Sequence, residues 1–99
     1  METVGRLSID EITARAMPVL ERYGATRAGV FGSAARSEMG DESDLDILVE
    51  LGPELSLLDV ARMNRELGEA LGRRVDLVEY EALKPRIRDR VLAQEVRIL

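Results

Sequence analysis

The chain has 99 residues, a formal net charge of -5, 45% hydrophobic and 33% charged residues, and neither cysteine nor histidine. That length gives one globular core and no room for a second, so any further substrate-recognition domain is expected from another chain. The absent residue types exclude a disulfide framework, a thiolate zinc site and an imidazole base, which leaves oxygen ligands, and so magnesium or manganese, for any metal.

Ser8-Ile9-Asp10-Glu11 has the form of a capping box, in which Ser8 and Glu11 satisfy each other's backbone N–H groups, and predicts a helix start. Ile12, Ala16, Val19, Leu20 and Tyr23 recur at helical spacing after it. Pro18 removes one backbone bond and is expected to kink or interrupt this helix, and Gly24 to cap its end. Thr26 to Phe31 reads as a first strand, weakened by Gly29, from which Gly32-Ser33 turns the chain. Ala34 to Glu38 suits a short helix, Met39 to Ser43 a loop, and Leu45 to Leu51 a second strand ended by Gly52-Pro53. Ser56 with Asp59 caps a longer helix that places Leu57, Val60, Ala61, Asn64, Leu67 and Leu71 on one inward face and ends at Gly72. Arg74 to Tyr80 predicts a third strand, with Val75 and Leu77 on one face and Asp76 on the other. Leu83 to Ala93 predicts a last helix with Pro85 in its first turn and Leu83, Ile87 and Val91 on one side, after which Val96, Ile98 and Leu99 need cover. This order gives an α/β (α+β) class with a small sheet covered mainly on one face.

No stretch approaches the roughly 20 apolar residues of a membrane span, and the first residues lack the apolar core of a signal peptide, so the cytoplasm is the expected location. The net charge of -5 and the small aromatic set of Tyr23, Phe31 and Tyr80 speak against an extended nucleic-acid surface.

Asp44-Leu45-Asp46 opens the second strand with two carboxylates at i and i+2, which point to one face. If the third strand is its neighbour, Asp76 joins them. Each pair of like charges at about 4 Å costs on the order of 4 kcal/mol at an effective dielectric of about 20, so such a cluster calls for divalent cations. Two magnesium ions held there would align a nucleophile and a leaving phosphate for in-line displacement. A plainer alternative stays open, since alternation on a half-exposed strand puts carboxylates on its solvated face without further role.

Gly32-Ser33 adds a phosphate-binding feature. Glycine lets the backbone approach a phosphate closely, and N–H groups with a serine hydroxyl at a helix start can hold its oxygens, although a simple tight turn uses the same residues. Arg36 either neutralises a phosphate from this segment or pairs at the surface with Glu38 or Glu42. Neither G-x-x-x-x-G-K-[ST] nor G-x-G-x-x-G occurs. The aspartate-nucleophile phosphatase pattern, also D-x-D, follows its apolar strand, whereas here the pair precedes it.

The segment GSAARSEMGDESDLDILVE resembles the G-S-x-A-R-G…S-D-x-D-[LI] signature of the minimal nucleotidyltransferases, small members of the DNA polymerase beta-like nucleotidyltransferase superfamily. The likeness extends to the third strand, Arg74-Val75-Asp76-Leu77-Val78, and to the helix opened by Leu83-Lys84-Pro85. It departs at Ser37, where the family usually has glycine. The resemblance implies a small mixed sheet, contacts from Gly32 and Ser33 to the terminal phosphates of ATP, and two magnesium ions held by Asp44, Asp46 and Asp76. It also implies a HEPN-type helical protein as partner, for which family members act as antitoxins, some by transferring AMP onto a partner tyrosine. Inactive members exist, so an antitoxin that acts by contact alone is the alternative.

Overall fold

The computed structural model describes residues 8–32 and 44–99. Ser33, Arg36, the short helix expected over 34–38 and the loop after it lie outside those residues. The described chain runs α1 (Ile9–Arg22), β1 (Arg27–Phe31), β2 (Leu45–Glu50), α2 (Leu57–Leu71), β3 (Val75–Glu79), a 3₁₀ turn (Tyr80–Ala82), α3 (Pro85–Gln94) and β4 (Val96–Arg97).

The Glu11 amide donates to Ser8 Oγ at 3.1 Å and the Ser8 amide to Glu11 Oε1 at 3.0 Å, so the expected capping box starts α1. The helix then continues through Pro18 without interruption. Pro18 and Ala14 both lie on the exposed side, so the Ala14 carbonyl that loses its partner is open to water. Past the helix end Gly24 takes φ 71, and the Gly24 and Ala25 amides donate back to Glu21 and Leu20. That left-handed turn satisfies the last carbonyls and aims the chain into β1.

The sheet order is β3-β2-β1-β4, with β1 antiparallel to both β2 and β4 and β2 parallel to β3. It is therefore mixed. The apolar chain end finds its cover as β4, a two-residue strand paired to Gly29 and Val30. Nothing local in the sequence marked it as a strand.

Alternation sorts the strand residues between two faces. Ala28, Val30, Leu45, Ile47, Val49 and Val75 form the main core with Ile12, Ala16, Val19 and Leu20 of α1 and Met63, Leu67 and Leu71 of α2. Phe31, Leu48 and Val78 point the other way and meet Tyr80, Leu83, Val91 and Leu92, which seats α3 on the second face. Two of the three α-helices among the described residues thus share one face.

The inward stripe of α2 differs from the sequence reading. Leu57 is 88% exposed and Ala61 is exposed, whereas Met63 is fully buried. The buried residues Met63, Leu67 and Leu71 are spaced i, i+4 and i+8, so the stripe is rotated away from Leu57. Ile87, expected on the inner side of α3, is likewise 43% exposed.

A polar cluster closes the second face. The Glu95 side chain is 3% exposed, accepts from Arg27 Nη2 at 3.1 Å, and also accepts from the Tyr80 hydroxyl. The Arg27 guanidinium lies over the Tyr80 ring, 4.2 Å from its centre. A buried carboxylate is tolerable because two donors compensate its lost hydration.

Candidate active site

Strand pairing brings the site together. In the β2–β3 register Asp46 stands opposite Asp76, and in the β1–β2 register Asp46 stands opposite Phe31, the residue before Gly32. Aligned residues of neighbouring strands share a face, so both carboxylates lie on the face that carries α3, at the end where β2 and β3 begin and β1 ends. The Leu45 amide donates to the Arg74 carbonyl at 2.9 Å and fixes this end of the pair. Burial of Leu45, Ile47 and Val49 on the opposite face holds the register, because a one-residue slip would reverse every side chain of β2.

Gly32 completes the wall. Its φ of 71 suits glycine, and a Cβ built there would sit 3.4 Å from Asp46 Cγ and closer still to Oδ2. The backbone of the turn therefore passes directly against the Asp46 carboxylate. Ser33 and Arg36, expected as phosphate ligands beside it, fall outside the described residues. Asp44 and Asp76 are exposed and Asp46 is half-buried.

Among the described residues no group of three or more carboxylates is gathered tightly enough to hold a metal by itself. Magnesium does not need such a cage, because it is commonly held by one or two carboxylates together with substrate phosphates. An all-oxygen donor set with two carboxylates in register, beside a turn whose backbone is open to close approach, fits that mode. Asp44 precedes Asp46 by two residues at the same strand entrance and is exposed.

The sequence reading missed a groove next to Asp76. Leu57, Val60, Ala61 and Asn64 of α2 face Val75, Asp76 and Leu77 of the edge strand across it. Leu57, Val60, Ala61 and Asn64 of the expected stripe line this opening, whereas Leu67 and Leu71 are buried in the core as expected.

A family model described as the nucleotidyltransferase domain matches residues 18–97. A protein of Methanocaldococcus jannaschii named as a candidate protein adenylyltransferase is 44% identical over 93 residues, spanning 94% of this chain and 100% of the relative. The protein adenylyltransferase MntA of Thermococcus cleftensis is 40% identical over 96 residues, spanning 93% and 97%. Among solved structures, a candidate minimal nucleotidyltransferase at 40% identity covers 92% of this chain and 96% of its own, with a TM-score of 0.78. A Shewanella oneidensis complex of a tri-AMPylated HEPN toxin with its MNT antitoxin contains a chain of the same fold, at 19% identity and a TM-score of 0.71, covering 92% of this chain and 71% of that one. Register-paired aspartates at the mouth of a mixed sheet, a glycine turn against them and these likenesses agree: the chain belongs to the nucleotidyltransferase domain family, as an enzyme of the minimal, polymerase beta-like type.

Proposed function

We propose that the chain is a magnesium-dependent protein adenylyltransferase that moves AMP from ATP to a tyrosine hydroxyl of a HEPN-type partner and so acts as that partner's antitoxin. The observation that carries this reading is the Asp46–Asp76 register beside Gly32. It sets two carboxylates next to a backbone turn suited to phosphate, the arrangement that in-line phosphoryl chemistry uses. The name of the Thermococcus cleftensis relative and the AMPylated toxin in the Shewanella oneidensis complex support the choice of AMP and of a protein acceptor.

The Gly32 turn, with Ser33 and Arg36 following it, binds the β- and γ-phosphates of ATP and leaves the α-phosphorus toward the carboxylates. Asp44, Asp46 and Asp76 are the residues that would hold two magnesium ions, or manganese in their place. Bound divalent cations would supply charge neutralisation at the entering and leaving oxygens. Asp76 accepts a hydrogen bond from the acceptor tyrosine and takes its proton as the phenolic oxygen attacks. The new bond joins that oxygen to the α-phosphorus, the bond to the β-phosphate bridge breaks, and pyrophosphate leaves with its electron pair.

A purified mixture of the chain, its HEPN-type partner, magnesium and α-labelled ATP tests this reading. Label on a partner tyrosine, lost in Asp46→Asn, is the expected result. A tight complex that never takes label would leave an antitoxin acting by contact alone.

A further inference from the structure

We propose that α3 is the surface on which the acceptor protein docks, through an acidic patch of that protein. The proposal rests on the protein-acceptor reading and deepens it. None of the residues of α3 is buried, and the helix holds to the sheet mainly through half-buried Val91 and Leu92. Lys84, Arg86, Arg88 and Arg90 are all exposed, with Asp89 as the one acid among them. Among the described residues none of these cations has a carboxylate partner. Three unpaired arginines on one ten-residue helix, with Lys84 at its N-cap, are a concentrated charge in a chain whose net charge is -5. An anionic surface is repelled by most of this molecule and drawn to that helix, which orients the encounter as well as strengthening it.

Position on the fold selects the acceptor as the occupant. By strand alternation α3 stands on the same sheet face as Asp46 and Asp76, since Leu48 and Val78 beneath it are two residues along from those aspartates. A protein seated on α3 is therefore held on the carboxylate face, where its tyrosine must arrive. Exposed Ile87 gives the cationic surface an apolar centre, the composition of a protein interface with a polar rim. A nucleic acid would instead be matched by stacking rings, and α3 has none.

The test compares the wild-type chain with Arg86→Glu/Arg88→Glu/Arg90→Glu, titrating each with the HEPN-type partner at low and high salt. The expected result is a loss of affinity of about tenfold or more in the variant, with a salt dependence that is steep in the wild type and nearly flat after reversal. The thermal midpoint and magnesium–ATP binding should be unchanged, and Arg→Lys at the same positions should keep most of the affinity. Equal partner affinity in the wild type and the charge-reversed variant overturns the proposal while leaving the adenylyltransferase reading intact. It is equally overturned if the substitutions abolish binding of a single-stranded RNA, or self-association of the chain, and leave partner affinity unchanged. Failure of the unsubstituted chain to bind or label the partner is a separate outcome, which removes the protein-acceptor reading and this proposal with it.

Discussion

The Glu95 carboxylate lies across the face of Gly29, so that a Cβ built on Gly29 would come 2.6 Å from Glu95 Cγ and 2.7 Å from its Cδ. Gly29, which weakens a strand when judged by propensity, is here the space into which a buried acid folds. Because Arg27 and Tyr80 both hold that acid, it cannot swing aside without losing donors. Gly29→Ala should therefore destabilise the protein by about 1–3 kcal/mol, the cost of overpacking or of leaving a buried polar group unsatisfied. Urea denaturation measures it, and a midpoint equal to wild type would show that Glu95 relocates freely.

Tyr80 gives that cluster a pH dependence. Burial, then the hydrogen bond to Glu95, then the negative charge of Glu95 hold the Tyr80 hydroxyl above the ordinary tyrosine value of 10.0. The folded state therefore keeps its proton where the unfolded chain has released it. This stabilisation is complete below pH 10 and is lost as pH rises beyond it. Tyr80→Phe keeps the ring under Arg27 and removes the donor, so it should cost about 1–3 kcal/mol at neutral pH and flatten the alkaline loss. Thermal midpoints from pH 8 upward, on both proteins, give the comparison.

Gly32→Ala tests the wall of the site. Its left-handed φ alone costs an alanine roughly 1–2 kcal/mol, and the new methyl presses on the Asp46 carboxylate. Both effects converge on the proposed reaction centre. Transfer should fall much further than stability, read as label incorporation per folded molecule, and parallel losses would mean that the turn is only structural.

Asp44→Asn separates charge from scaffold. Removing one of several like charges near the strand entrance should leave the metal-free protein as stable as wild type or slightly more so. Magnesium with ATP should raise wild-type stability by about 2.7 kcal/mol at roughly 100 times the dissociation constant. The variant should lose that increment. Equal ligand-induced shifts in both proteins would take Asp44 out of the metal site. In Asp76→Asn, transfer should vanish while ATP binding through the Gly32 turn largely persists.

Local chemistry made most elements legible. The Ser8 and Ser56 capping boxes, the glycines at positive φ after α1 and α2, and strand alternation around Asp46 and Asp76 each act within a few residues, so they can be read in order along the chain. What the sequence hid depends on distant partners. β4 exists because β1 offers an edge, and Met63 turns inward because it packs into the core shared by α1 and the sheet, whereas Leu57 stays exposed. Arg27, Tyr80 and Glu95 meet across long separations with no periodic mark. The D-x-D spacing announced two carboxylates on one face, whereas the alignment of Asp46 with Asp76 came only with the parallel pairing of β2 and β3.

If the proposed site is the working one, that pairing makes the folded molecule all-or-none as a catalyst. The core residues Leu45, Ile47 and Val49 alternate with Asp46 along one strand, so any arrangement that buries the first set also aims the aspartate correctly. A slipped strand would have to trade its whole apolar face for water, which leaves no folded population with the carboxylates out of line. Leu67→Ala, which opens the core by about 2–5 kcal/mol, should consequently lower the number of working molecules without slowing those that are folded.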